Sequence, residues 1–175
     1  LAVDYSKVHD LSPLRNMPLT MLNCSGNAVS DVSPLKGMAL HVLYVAQNPL
    51  TDLSPLSGMP LRILGCPDTP LKDLSPLKGM PLVKLTCFNT KVSDLTPLTG
   101  MQLSILHCSK TDVFDLSPIR KMPLNFLEVA ETNVTDLSPL QDCKNLKGLR
   151  IQKTKVSPAA IAALQKALPN CKIEW

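Results

Sequence analysis

Aromatic residues are nearly absent from this chain. One Trp, two Tyr and three Phe make up 3% of its 175 residues. A core built here must therefore be aliphatic, and a nucleic-acid platform of stacked rings has too few members. No apolar run approaches the roughly 20 residues of a membrane helix. No secretory leader pattern stands at the N-terminus. There is no Gly-rich phosphate loop and no nucleophile–base pair at a suggestive spacing. His9, His41 and His107 are scattered, and no metal-ligand cluster of a strong type is present. Nothing in the sequence looks catalytic.

What is present is regularity. Apolar residues form 45% of the chain, enough for one folded domain. A segment reading Asp-Leu-Ser-Pro-Leu, with small variations, recurs with its Asp at Asp10, Asp31, Asp52, Asp73, Asp94, Asp115 and Asp136, always 21 residues apart. Such a period marks a solenoid. Solenoids work by offering a long surface, so the period already points to binding.

The aligned unit reads Leu-x-x-Leu-x-Cys/Val-x-x-Thr/Asn-x-Val/Leu-x-Asp-Leu-Ser-Pro-Leu-x-Gly-Met-Pro. One clear copy holds Leu82, Leu85, Cys87, Thr90, Val92, Asp94, Leu95, Thr96, Pro97, Leu98, Gly100 and Met101. Leu85 and Cys87 alternate with Lys84, Thr86 and Phe88, the period-2 pattern of a strand with one buried face. Val32, Leu35 and Met38 recur every three residues, which suits a 3₁₀ turn with one buried edge. In that turn Ser33 can cap, Pro34 suits the first helical position and Gly37 suits the exit.

The unit resembles the leucine-rich repeat, in the short bacterial form of the internalins and the phosphatase-regulator class. The phrasing Leu-Ser-Pro-Leu-Lys-Gly-Met-Pro, with the ending Leu-Pro-Asn-Cys-Lys-Ile-Glu-Trp, also resembles repeat regions attached to bacterial serine/threonine protein kinases. The resemblance covers essentially the whole chain. It implies an α/β solenoid, a horseshoe of 21-residue units with a parallel sheet on the concave face. The convex side should be 3₁₀ or extended, and a helix should cap the C-terminus.

A single domain over 1–175 is expected. Residues 1–18 form a truncated first repeat, 19–156 seven repeats and 157–175 the cap. Leu1-Ala2-Val3 aligns with Leu22-Asn23-Cys24, so the first unit is cut inside its strand and the chain reads as a fragment. In the cap, Ser157-Pro158 opens a helix with Ile161, Leu164 and Leu168 on one face. Pro169 stops it, and the segment Cys171 to Trp175 closes the core.

Stacking turns each repeat position into a ladder with rungs about 4.8 Å apart. Cys24, Cys66, Cys87 and Cys108 share a position with Val45, Val129 and Ile151, which is how a core site behaves. Cys143 and Cys171, near the C-terminus, could pair. Each Asp of the repeat should accept a backbone N–H from its own Ser-Pro turn, against the alternative of a row of Ca²⁺ sites. Asn27, Asn48, Thr69, Thr90, Thr111, Thr132 and Thr154 stand where leucine-rich repeats bond the turn backbone.

Function is expected where the units differ. Outward strand positions change at nearly every rung, and these columns should tile the concave face. The candidate binding residues are Met21, Val42, Tyr44, Ile63, Lys84, Thr86, Phe88, Ile105, His107, Phe126, Glu128 and Arg150. Met21, Val42, Ile63, Ile105 and Phe126, with Tyr44 and Phe88 beside them, make an apolar patch of the kind that marks interfaces. His107, Glu128 and Arg150 add a polar side.

The expected function is a non-catalytic protein-interaction module, without cofactor or metal, binding a protein or peptide as a monomer. The alternatives are a sensory or substrate-docking arm of a bacterial kinase, and an adhesin-like surface or spacer protein. Seven Lys/Arg against one acid from Cys143 to Trp175 make a basic end, read as a solvated face and not a nucleic-acid site. Free buried thiols favour a reducing, cytoplasmic compartment over the cell surface or periplasm.

Overall fold

The computed structural model describes all residues, 1–175. Each unit contributes one three-residue strand and one 3₁₀ turn. The strands are β1 (Met21–Asn23), β2 (Val42–Tyr44), β3 (Ile63–Gly65), β4 (Lys84–Thr86), β5 (Ile105–His107), β6 (Phe126–Glu128) and β7 (Gly148–Arg150). After the helix α1 (Pro158–Ala167) comes β8 (Lys172–Glu174). All eight lie in one parallel sheet in chain order. Register is strict: Met21 faces Val42, Val42 faces Ile63, and so on to Gly148 and Lys172. The first unit joins through a parallel bridge between Ala2 and Asn23.

The central Leu of each strand, from Leu22 to Leu149, is fully buried. Behind the sheet stands the 3₁₀ wall, from Ser12–Leu14 and Ser33–Leu35 to Thr96–Leu98 and Ser117–Ile119. The layers enclose one continuous aliphatic core that contains no aromatic side chain. Val32, Leu35 and Met38 are all buried, as the period of three requires. The seventh turn, Ser138–Asp142, is longer and carries the inserted residue.

Each turn is held by its Asp. Asp Oδ1 accepts the N–H of the Ser or Thr two residues on in all seven units, at 2.7–2.8 Å. This corrects the capping role assigned to Ser33. Its hydroxyl donates to Asp31 Oδ2 at 2.8 Å, so the Asp is the acceptor and the Ser serves it. These hydrogen bonds to Ser12, Ser33 and their equivalents hold Asp10, Asp31, Asp73, Asp94 and Asp136 below the usual carboxylate range.

The turn then exits through a second turn that needs a left-handed residue. Lys36 (φ −54°, ψ 127°) and Gly37 (φ +75°) form it, closed by Met38 N–H to Leu35 O at 3.1 Å. That is type II geometry, in which only the second central residue has positive φ.

At the C-terminus Ser157 caps α1, its Oγ accepting Ala160 N–H at 3.2 Å. Ile161, Leu164 and Leu168 are buried against the last unit. The segment after Pro169 adds β8 to the sheet edge. All six cysteines are free and buried, Cys143 and Cys171 included. Burial pushes the Cys24 thiol up to about 11 and Cys87 to about 12, the behaviour of core residues and not of reactive thiols.

Candidate functional site on the concave sheet

The register sorts the outward strand positions into columns. The first runs Met21, Val42, Ile63, Lys84, Ile105, Phe126, Gly148, Lys172, and the second Asn23, Tyr44, Gly65, Thr86, His107, Glu128, Arg150, Glu174. All twelve candidate residues lie on this one face, on β1 to β7 and in the turn after β4 that carries Phe88. The apolar column is less open than its composition suggests. Only Met21 is exposed, and Val42, Ile63, Ile105 and Phe126 are half-buried by their neighbours.

The aromatic rings lean one way. A Cβ on Gly65 would sit 2.7 Å from the Tyr44 ring, and one on Gly148 would sit 2.8 Å from Phe126. Each ring lies over the glycine one rung later, which only a residue without a side chain permits. Phe88 stacks on His107, centroids 4.6 Å apart, and Tyr5 covers Gly26 in the same manner. Rings held this way lose little freedom when they bind, which suits them as anchors.

The polar side is a connected network. His107 Nε2 lies 3.1 Å from Glu128 Oε1, which also accepts from Ser109 Oγ at 3.3 Å. Arg150 donates to Glu128 Oε2 at 3.3 Å and to Glu174 Oε2 at 2.9 Å, with its guanidinium 5.4 Å from the Phe126 ring centroid. Lys172 completes the row against Glu174 at 3.0 Å. Burial lowers the His107 pKa, with Glu128 opposing. At neutral pH the contact is therefore a neutral imidazole donating to a carboxylate, not an ion pair.

A hollow of about 270 Å³ opens beside this network, lined among others by Phe88, His107, Ser109 and Glu128. Its far wall is Asp68, Asn89, Lys110 and Glu131, a further variable column that the sequence reading passed over. Comparison of units at that position would have found it. A larger hollow of about 410 Å³ lies off the face, on the flank of the Thr ladder. Its lining is polar throughout, with Lys91, Lys110, Lys153 and Lys155, and so lacks the apolar walls of a small-molecule site. Phe114 is 63% exposed away from the concave face, another residue the columns did not reveal. No three His, Cys, Asp or Glu side chains converge as a metal site would require. No helix is long and apolar enough to cross a membrane.

No family model and no curated protein matches the sequence. Solved structures do. Internalin C2 of Listeria monocytogenes superposes with a TM-score of 0.89 at 25% identity, over 99% of this chain and 79% of that one. The chain has the leucine-rich repeat fold. A second internalin of that organism, inlF, matches with a TM-score of 0.78 at 26% identity, over 95% of this chain and 57% of its own. A leucine-rich repeat protein of Leptospira interrogans, at 21% identity and a TM-score of 0.70, shares the fold. This chain spans just over half of inlF and under half (46%) of the Leptospira chain.

Proposed function

We propose that this leucine-rich repeat protein is a non-catalytic interaction module that receives a protein partner on its concave face. One observation carries the reading. The frame repeats almost without change, while the registered outward columns change at nearly every rung. Side chains that only held the sheet together would be free to repeat as the frame does. The face is also pre-organised, because the rings of Tyr44, Phe88 and Phe126 are braced on the next rung and the Glu128 network is complete. The internalin likeness supports the same class of activity.

Joint replacement of Tyr44, Phe88 and Phe126 by Ser tests this. The rings are half-buried on the surface of the sheet and outside the core, so circular dichroism should be unchanged. Capture of a partner in a pull-down should be lost, by roughly a thousandfold in affinity if two rings act as hot spots of about 2 kcal/mol each. Capture at wild-type strength by a folded triple variant would refute the concave-face reading.

A further inference from the structure

The charges of the concave face do not cancel, and the surplus is all on one side. Between β2 and β8 each carboxylate of the face and its rim is already engaged. Glu128 is held by His107, Ser109 and Arg150, and Glu174 by Arg150 and Lys172. Glu131 takes Lys110 and Lys153, and Asp68 takes the Asn89 amide at 2.7 Å. The cations are not so matched. Arg62, Lys84 and Lys147 make no ion pair with any carboxylate of the chain.

All three lie toward the strand-entry edge. The flank column just before the strands reads His41, Arg62, Val83, Ser104, Asn125, Lys147, and the first strand column holds no charge but Lys84 and Lys172. Neither contains an acid. The free cations therefore border the apolar column directly. Arg62 and Lys84 sit on neighbouring rungs, tied through Lys84 N–H to Arg62 O at 3.1 Å. Lys147 stands three rungs beyond Lys84, about 14 Å at the usual strand spacing. Ile105 and Phe126 occupy the rungs between.

We infer that the partner presents an acidic, apolar-cored protein segment, laid along this edge with a carboxylate near Arg62 and Lys84 and another near Lys147. The inference rests on the concave-face reading and gives it a ligand chemistry. An apolar side chain between those carboxylates would lie on Ile105 and Phe126. The spacing spans about four residues of extended chain or about nine of helix. A basic segment would meet three uncompensated positive charges and find every acid of the face occupied, which is the arrangement that rejects a wrong partner.

The probe is a phage-displayed library of random twelve-residue peptides, panned on the full chain at low salt. Enriched peptides should carry Asp or Glu on both sides of an apolar residue. The variant Arg62→Glu/Lys84→Glu/Lys147→Glu, altered only at surface positions, should bind them at least tenfold more weakly and with less dependence on salt. Enriched peptides without excess acid, or undiminished binding by that variant, would overturn the acidic-segment inference alone. Undiminished binding by the folded Tyr44/Phe88/Phe126→Ser variant would overturn the concave-face reading beneath it. Failure to enrich any peptide counts against both.

Discussion

Asn48 links two units through one side chain. Its Oδ1 accepts Val29 N–H from the unit before at 2.9 Å, and its Nδ2 reaches the carbonyls of Cys24, Val45 and Ala46. Thr90, at the same position of a later unit, makes one such bond, to Cys87 O at 2.8 Å. Both are buried. Asn48→Ala should therefore cost about 2–4 kcal/mol, since a buried N–H and several carbonyls lose their partner at once, and Thr90→Val only about 1. Urea unfolding of the two variants checks the ranking, and equal losses would contradict it. Acid should act through two sets of groups. His107 has a lowered folded pKa, so the unfolded chain takes up that proton first. Its contribution is present above about 6.5 and lost as pH falls toward the folded value. His107→Asn should flatten the fall in melting temperature between pH 7 and 5.5, and an unchanged fall would sink the assignment. The Asp ladder acts lower. Its depressed carboxylates stabilise above 3.8 and lose that contribution as they protonate below it. At this scale the sequence was legible wherever a residue's chemistry admits one partner, as Asp31 and Thr90 show. It misled at Ser33, because a Ser beside an Asp can be acceptor or donor, and only the backbone geometry chooses.

The turns show what pattern can and cannot announce about an element. The exit turn needs positive φ, and Gly37, Gly58, Gly79 and Gly100 supply it. The sixth unit places Lys121 there at φ +61°, in the same turn closed by Met122 N–H to Ile119 O at 3.1 Å. A Cβ at Gly37 or Gly58 would meet nothing within 4 Å, so the cost of a side chain at this place is conformational and not steric crowding by neighbours. Lys121→Gly should therefore stabilise the protein by about 1 kcal/mol. That is a rise of about 2–4 °C in the melting temperature for a domain of this size. An unchanged or lower midpoint would show that the turn carries no such strain. A second left-handed column left no signature in the sequence. Gln47, Asp68, Asn89, Lys110, Glu131 and Lys153 all have φ between 52° and 57°. Several of their N–H groups donate to the next rung, as Asp68 does to Phe88 O at 3.0 Å and Lys110 to Ala130 O at 2.9 Å. Those bonds offset the local strain, so the position need not be glycine. The same freedom lets it vary, and hid it from a reading based on turn-forming residues.

At the scale of the whole molecule each unit packs mainly on its neighbours, and the core is a stack of aliphatic rungs, each centred on a strand leucine, closed by α1 and β8. The period in the sequence made the solenoid, its sheet and its 3₁₀ convex turns legible. It could not show β8, because Lys172, Ile173 and Glu174 belong to no repeat and join the sheet only once α1 has turned the chain back. The direction in which each ring leans was equally hidden, since it depends on the glycine one rung away. Stability in such an array is a sum of unit and nearest-neighbour terms, so where a defect falls matters as much as its size. Leu85 is fully buried in the middle of the row, between Leu64 and Leu106. Leu85→Ala should cost about 2–5 kcal/mol for its cavity and weaken both interfaces of the β4 unit, uncoupling the halves. Leu164→Ala in the cap, a loss of similar chemistry, should release α1 and β8 while the units before β6 keep their protection. Amide hydrogen exchange resolves the two cases. The central variant should lose protection first around β3 to β5 and unfold in urea over a broadened range. The cap variant should keep a sharp main transition. Uniform loss of protection along the whole chain in both would mean that the row folds as one unit, with coupling too strong for a single rung to break.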